Sequence, residues 1–271
     1  MKYFLGLITR CKDEIYIDEF VKYYLNEGVD KIMILDDNSD KNIYKNIIHN
    51  DKVEITFDND IISKRSIFTL YKKVIPLFEW IIYVDVDEFI TTKHNKQNTI
   101  RDELLTTFKN AMCIKIPWVM MSCNNIEKNP VSLLETNIYR WNHDKRHINT
   151  KTDIHKFRCR YDGIEVKCIF KPKYFDDIKD HHPIKSNIKN PRIVESIHNQ
   201  SHKLDAMYGK LRENDISDGL LLCYHYRIVS VENCLHKIET NCWYKNFTLD
   251  ILLSNDYPEI IDDTIKNKLN K

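Results

Sequence analysis

Four apolar runs in the first ninety residues alternate with segments in which apolar residues recur with the period of an α-helix. The runs predict strands at 3–9, 31–35, 53–57 and 80–84, with a helix capped by Asp13 that stops at Gly28, and further helices at 43–48 and 66–78. Strands that alternate with helices pair in parallel through right-handed crossovers. The chain is therefore predicted to be an α/β protein with a Rossmann-like, mostly parallel central sheet flanked by helices.

The rest of the chain has a weaker pattern. A helix is expected at 99–108, a strand at 112–121, and a polar terminal helix after residue 251. No internal repeat or Gly/Ser linker interrupts the chain, so we predict a single domain over residues 1–271. It would comprise a nucleotide-binding half (1–98), a mixed half that binds the acceptor and completes the metal site (99–250), and a tail (251–271).

The charge balance excludes a general nucleic-acid binder, because 41 basic and 40 acidic residues leave a net charge of +1. The eight cysteines are scattered and form no CxxC pair, which favours reduced thiols. No apolar stretch reaches the roughly 18 residues of a membrane span, and no cleavage site follows the first apolar run. We expect a soluble, cytoplasmic protein without a membrane span.

The most informative short motif follows the fourth predicted strand, WIIYV, which leads directly into Asp85-Val86-Asp87. On an extended backbone, alternate side chains point the same way, so Asp85 and Asp87 would form a two-carboxylate cradle. Mn²⁺ and Mg²⁺ prefer such oxygen ligands and complete their shells with water and phosphate. A DxD tripeptide alone also recurs by chance, as an ordinary acidic loop after a strand.

Two other polar pairs are expected at the same edge of the sheet. Thr9 and Arg10 end the first strand, and Asp36 and Asp37 end the second. Because the carboxyl ends of parallel strands share an edge, and ligands bind there where strand order reverses, these pairs should converge on the acidic motif.

Longer segments carry a family resemblance. LITRCKDE, NEGVDKIMILDDNSD and EWIIYVDVDEF are followed in order by KCIFKP (167–172), HHP (181–183) and HYRIVSVENCLHK (225–237). Together they resemble GT-A glycosyltransferases of the family 2-like and family 92 groups, over most of residues 3–240 and least well between 119 and 160. The resemblance implies a GT-A fold, a nucleotide-sugar donor, a glycan or other hydroxyl acceptor, and Mn²⁺ or Mg²⁺ as cofactor.

The resemblance also implies residue roles around the donor. Thr9, Arg10 and Asp37 would hold the uracil and ribose, and Asp36 could substitute for Asp37 or simply form a turn. Arg65, beside Lys64, could reach phosphate, although a solvated basic pair explains it equally well. His181 and His182 would line the donor or acceptor pocket.

His225 is a candidate third metal ligand beside Asp85 and Asp87, and a structural histidine is the competing interpretation. Lys237, with Arg227 as the weaker candidate, would neutralise the leaving diphosphate unless either is only a surface cation. His143, His147 and His155 lie in a polar stretch where exposure is expected, and we assign them no function.

The implied chemistry is direct displacement with inversion, in which Asp87 acts through the metal and UDP leaves. The catalytic base stays open, with Asp215 and Asp218 as guesses. A nicotinamide oxidoreductase is disfavoured because no GxGxxG follows the first strand. Glu88-Phe89 replaces the small residues that a haloacid-dehalogenase-like phosphatase would carry. The alternative in another class is a non-catalytic glycan- or protein-binding module on the same scaffold.

Overall fold

A computed structural model describes residues 2–58, 64–147, 159–241 and 244–270, without the side chains of residues 58, 64–66, 68, 159 and 160. The helices are α1 (Ile17–Asn26), α2 (Lys64–Val74), α3 (Ile100–Leu105), α4 (Leu133–Thr136), α5 (Glu213–Asp218), α6 (Val231–Thr240), α7 (Leu249–Leu253) and α8 (Thr264–Leu269). Short 3-10 helices span Lys41–Tyr44 and Pro172–Tyr174.

Fifteen strands lie within the described residues. They are β1 (Tyr3–Cys11), β2 (Lys31–Asp37), β3 (Val53–Asp58), β4 (Phe78–Tyr83), β5 (Glu88–Thr92), β6 (Cys113–Ser122), β7 (Tyr139–Arg140), β8 (Cys159–Arg160), β9 (Gly163–Phe170), β10 (Phe175–Ile178), β11 (Pro183–Ser186), β12 (Ile193–Glu195), β13 (Met207–Gly209), β14 (Leu221–His225) and β15 (Ile260–Ile261).

The central sheet has the strand order β15-β7-β6-β9-β4-β1-β2-β3. The neighbours β4, β1, β2 and β3 run parallel, whereas β9 runs antiparallel to both β4 and β6. Strand β14 pairs parallel with β6 and antiparallel with β5. The predicted α/β class, with a parallel first half and a mixed second half, is confirmed.

Strand order reverses at β1. The chain passes from β1 outward to β2 and β3, and then returns to place β4 on the other side of β1. The carboxyl ends of β1 and β4 therefore flank the crevice where ligands of open α/β sheets bind. The predicted polar pairs lie at this edge, since Cys11 is in register with Asp36 and Ile8 with Tyr83.

Helices cover both faces of the parallel strands, which explains their continuous apolar character. On one face, α1 buries Ile17, Phe20 and Tyr24 against Leu5, Leu7 and their neighbours. On the other face, α2 buries Leu70, Tyr71 and Val74. Gly6 lies under the Phe78 ring so closely that a Cβ atom would come within 2.5 Å of it.

The loop after β1 differs from its prediction. Helix α1 begins at Ile17, and Asp13 does not cap it. Asp13 has a left-handed backbone (φ 50°), and its carboxylate accepts the N–H of Asp40 at 2.8 Å. The prediction was wrong because the side chain bonds across to the loop after β2. The expected helix at 43–48 is a 3-10 turn, Lys41–Tyr44, capped by Asp40.

The carboxyl-terminal segment packs on the sheet. Asp262 is buried and accepts bonds from Lys93 Nζ (3.1 Å), Arg140 Nε (2.9 Å) and the Tyr224 hydroxyl (3.0 Å). Strand β15 pairs with β7. Residues 255–270 are thus held by a buried ionic network. Among the helices within the described ranges, none is long and apolar enough to cross a membrane.

Candidate active site

The acidic motif forms a tight turn directly after β4. The N–H of Glu88 donates to the carbonyl of Asp85 at 3.1 Å, and the N–H of Asp85 donates to Glu88 Oε2 at 2.7 Å. Val86 is buried in the core. The extended backbone that we expected here is therefore absent at Asp87. The turn directs Asp85 and Asp87 to different neighbours along the same edge of the sheet.

Asp85 lies between two cations. Lys167 Nζ, from β9, is 2.7 Å from its Oδ2, and Arg10 Nη2, at the end of β1, is 3.1 Å from its Oδ1. Burial opposes ionisation, but Lys167 and Arg10 hold the pKa of Asp85 well below its usual range. The Asp85 side chain is still 35% exposed, so a ligand can reach it.

Glu88 is buried next to Asp85 and Lys167. Its side chain is fully buried and lies 3.1 Å from the equally buried Lys167 Nζ. Burial raises the pKa of Glu88 to about 8 even though Lys167 opposes the shift. Lys167 thus contacts both carboxyl groups, that of Asp85 at 2.7 Å and that of Glu88 at 3.1 Å.

Asp87 meets a second set of residues. Lys237 Nζ, from α6, is 3.0 Å from its Oδ2, and His225 Nε2, at the end of β14, is 3.6 Å from its Oδ1. Burial lowers the pKa of His225 to about 4 against the pull of Asp87, so its imidazole is neutral at pH 7. Burial would lower the pKa of Lys237, but Asp87 and Glu14 raise it above its ordinary value.

Strand pairing explains why these distant residues meet. His225 is in register with Glu88 across the antiparallel β14–β5 pair, so the end of β14 lies against the acidic turn. The N–H of Tyr226 then donates to the carbonyl of Asp87 at 2.8 Å. Ser230 caps α6 by accepting the N–H of Asn233, and that helix carries Lys237 back to the turn.

Glu14 is a member of the site that sequence reasoning missed. It lies in the loop after β1, where burial raises the pKa of its carboxyl to about 7 and Lys237 opposes the shift. Asp87 and Asp85 add to this increase, so Glu14 lies within electrostatic reach of the acidic turn.

We tested whether these residues fit a divalent cation. Two ligands at about 2.1 Å and at right angles lie about 3 Å apart, close to the 3.6 Å between Asp87 Oδ1 and His225 Nε2. The neutral imidazole has a lone pair to offer. Within the described ranges, no group of three or more His, Cys, Asp or Glu side chains is arranged to hold a metal. The set fits a cation held by two protein ligands and completed by phosphate and water, as Mg²⁺ sites commonly are.

The four residues predicted to hold the nucleoside have different environments. Thr9 is fully buried, and its hydroxyl donates to the Arg10 carbonyl at 3.2 Å. Asp36 is buried too and accepts bonds from the Tyr44 hydroxyl (2.5 Å) and the Ser39 N–H, which is the turn role left open above. Arg10 and Asp37 are only partly buried, and Arg10 forms ion pairs with Asp85 and Asp180.

The remaining residues predicted around the donor, Arg227, His182 and Arg65, have different positions. Arg227 is partly buried beside Lys237, whose Nζ donates to its carbonyl at 3.3 Å, and its guanidinium lies 5.7 Å from the Tyr244 ring centre. Burial lowers the pKa of His182, and Lys179 and Lys115 add to the shift. The Arg65 side chain is outside the part of the chain that the structure describes.

The structure does not bring Asp215 and Asp218 to the acidic turn. Both belong to α5, which precedes β14, whereas His225 is at the opposite end of that strand. A strand of five residues is about 16 Å long. Asp215 accepts the N–H of Arg212 at 2.8 Å as part of a capping box, and Asp218 is exposed. Helix capping accounts for Asp215 without a catalytic role.

His143 also differs from its expectation of exposure. It is buried, and its Nε2 accepts the N–H of Met120 at 3.2 Å. Burial lowers the pKa of His143 to about 3, so the ring is neutral. His143 thus supports the strand that leads toward the site. His155 lies outside the described residues.

Comparison with known protein families identifies the family of this chain. The sequence profile of glycosyltransferase family 92 matches residues 73–250, which contain the acidic turn, Lys167, His225 and Lys237. The chain belongs to glycosyltransferase family 92, and it is a glycosyltransferase. No curated protein sequence matches it.

Solved structures show weaker likenesses. A 4-diphosphocytidyl-2C-methyl-D-erythritol synthase from Anaerococcus prevotii aligns at 10% identity over 63% of this chain and 71% of that one, with a TM-score of 0.34. TarS residues 1–349 from S. aureus align at 12% identity (64% and 47%, TM-score 0.33), and GalNAc-T7 with UDP, GalNAc and Mn²⁺ at 8% (63% and 35%, TM-score 0.34). The chain thus spans less than half of those TarS and GalNAc-T7 chains. The function proposed below is therefore based on the family and on the geometry of the site.

Proposed function

We propose that this protein is a metal-dependent glycosyltransferase that transfers a sugar from a UDP-sugar to a hydroxyl group of a glycan acceptor, with inversion at the anomeric carbon. The observation that carries the proposal is the arrangement around Asp87, where one carboxylate oxygen faces the neutral imidazole of His225 and the other contacts Lys237. Two candidate cation ligands and one positive charge, from three separate segments of the chain, support this proposal.

The charge of the site suits a diphosphate. Asp85, Asp87 and Asp180 carry three negative charges, and Arg10, Lys167 and Lys237 balance them with three positive ones. A bound divalent cation would therefore give the site an excess of positive charge. A nucleoside diphosphate is the complementary anion. Its nucleoside would extend from β1 toward β2, where Asp37 can accept from an imide N–H or a ribose hydroxyl.

Each charged residue around the acidic turn has a specific role in the proposed reaction. Asp87 and His225 would hold the cation, which when bound supplies Lewis-acid stabilisation of the leaving diphosphate. Lys237 lies where negative charge develops on that group, and Arg227 is beside it. Arg10 and Lys167 hold Asp85 in place and keep it ionised. The acceptor oxygen would attack from the side of the sugar away from these cations.

The experiment is a screen of donor hydrolysis and binding. The protein is incubated with UDP-, GDP- and TDP-sugars, with Mn²⁺ or with a chelator, while the released nucleotide is measured and UDP binding is followed by calorimetry. We expect Mn²⁺-stimulated release of UDP from one UDP-sugar, and UDP binding that Mn²⁺ strengthens. Absence of nucleotide binding under every metal condition would overturn the enzyme proposal and favour a non-catalytic binding module.

A further inference from the structure

Beyond the cation site, a carboxylate and an imidazole form a second pair at the same edge of the sheet. Glu165 Oε2, on β9, lies 3.2 Å from His181 Nε2, in the turn between β10 and β11. Their side chains are 13% and 11% exposed, so the pair is largely removed from water but not sealed. Neither residue has a role in the donor site described above.

The position of Glu165 follows from the strand register. Tyr83 of β4 is opposite Cys168 of β9, and the two strands are antiparallel. Continuing that register past the end of β4 brings Glu165 level with the acidic turn, one strand away from it. Because side chains alternate, Glu165 points to the same face as Lys167, which contacts Asp85.

The pair lies on the side away from the nucleoside. The order β2-β1-β4-β9-β6 puts the nucleoside strands β1 and β2 on one side of the turn and β9 and β6 on the other. Trp118 of β6 connects this side to the cation site, because its ring lies 5.3 Å from the His181 ring and 4.4 Å from the His225 ring. A sugar bound at the turn would therefore have the pair on its acceptor side.

The hydrogen bonds of His181 define its chemistry. Its Nδ1 is 3.2 Å from the carbonyl oxygen of Val166, which can only accept, so Nδ1 carries a hydrogen. When Nε2 carries no hydrogen, it is a proton acceptor that faces another acceptor, the Glu165 carboxylate. A proton that arrives between these two atoms is shared by both. Such a carboxylate–imidazole pair is suited to general-base chemistry.

We infer that the Glu165–His181 pair is the general base of the transfer, taking the proton of the attacking hydroxyl; this inference rests on the proposed function. The acceptor oxygen forms its bond to the anomeric carbon as the bond from that carbon to the diphosphate oxygen breaks. The departing UDP keeps the electron pair of the broken bond, and the hydroxyl proton passes to the pair. No further reactant is required, and the pair replaces Asp215 and Asp218 as the candidate base.

The test uses water and azide as nucleophiles on the full chain. Water must lose a proton to complete the reaction, whereas azide attacks as an anion and needs no base. The donor is whichever of UDP-galactose, UDP-glucose and UDP-N-acetylglucosamine the wild type hydrolyses fastest in Mn²⁺. Glu165→Gln and His181→Asn are compared with Lys185→Ala, which removes an exposed ion pair to Asp177 from the same hairpin.

We expect Glu165→Gln and His181→Asn to lower the rate of hydrolysis about 100-fold or more while binding UDP within about threefold of wild type. Azide should restore UDP release to within about tenfold of wild type, with glycosyl azide as product. Lys185→Ala should match wild type in every assay, and Asp87→Asn should gain nothing from azide. Thermal melting checks that each variant is folded.

Several outcomes would overturn the assignment. Hydrolysis by both variants within about fivefold of wild type would show that the pair is not the base, and would leave the proposed function intact. A loss that azide does not restore in a folded variant would show that the pair only holds the hairpin to β9. A wild-type protein that binds UDP under no metal condition would instead remove the proposed function on which the inference rests.

Discussion

Nε2 of His225 lies 3.6 Å from Oδ1 of Asp87, although about half of the chain separates the two residues in sequence. The β14–β5 pairing brings them together, and burial keeps the imidazole neutral beside a carboxylate that Lys237 keeps ionised. A neutral nitrogen and an ionised oxygen are both able to bind a metal, whereas an imidazolium could not. The proposed cation site depends on this contact between His225 and Asp87.

The first prediction concerns His225 as a cation ligand. His225→Ala should raise the Mn²⁺ concentration for half-maximal UDP-sugar hydrolysis about tenfold or more, because one of two protein ligands is lost. The measurement is a Mn²⁺ titration of UDP release. His49→Ala, at an exposed histidine, is the matched control. If the His225→Ala titration coincides with that of the control, His225 does not bind the cation.

The second prediction concerns Lys237 as a partner of the diphosphate. Lys237→Met should weaken UDP binding about 10-fold to 100-fold, since an ion-assisted hydrogen bond contributes about 1.5–3 kcal/mol. Calorimetry with UDP and Mn²⁺ measures the change. Lys128→Ala removes an exposed ion pair with Glu232 of α6 and should bind UDP like wild type. Equal affinity of Lys237→Met and wild type would exclude Lys237 from phosphate contact.

The third prediction concerns stability and pH. The folded pKa of His143, about 3, is below its unfolded value of about 6.5, so between these pH values the unfolded state binds more protons. The stability from a neutral His143 is fully present above pH 6.5 and is lost as the pH falls toward 3. Urea unfolding from pH 7.5 to 4.5 should show wild type losing stability relative to His143→Gln, by at most about 1.4 kcal/mol per pH unit.

Gln is the informative replacement at this position because its amide oxygen can still accept the Met120 N–H and cannot be protonated in this range. Contributions from every other titrating group are common to the two proteins and cancel in the difference. Parallel stability curves for the two proteins would mean that His143 does not stay neutral in the fold.

Much of the fold could be predicted from the periodicity of apolar residues alone. The parallel strands β1 to β4 and helix α1 bury long apolar stretches, so their pattern is strong. The loop after β1 could not be predicted, because Asp13 bonds to Asp40 rather than to its own helix, and such a contact leaves no local signal. The polar terminal helix was expected, but the burial of Asp262 could not be predicted, because its partners Lys93 and Arg140 lie far along the chain.

The candidate site was predictable in part. Asp85, Asp87, His225 and Lys237 were identified from motifs that resemble a family, and the structure brings them together. The acidic motif was nevertheless expected on an extended strand, whereas a turn closed by Glu88 carries it. Lys167 lies in the KCIFKP segment but was assigned no role. Its contact with Asp85 depends on the pairing of β9 with β4, which the local sequence does not indicate. Glu14 gave no signal that separates it from a surface residue.

The most direct test of the central claim is the affinity of UDP for wild type and Asp87→Asn, each measured by calorimetry in Mn²⁺ and in chelator. Asp87→Asn keeps the shape of the side chain, and thermal melting shows whether the variant is folded. We predict that Mn²⁺ strengthens UDP binding to wild type about tenfold or more, and that this gain disappears in Asp87→Asn together with donor turnover. Equal UDP affinity of wild type in Mn²⁺ and in chelator, or an Asp87→Asn variant that keeps the Mn²⁺ gain, would contradict the account.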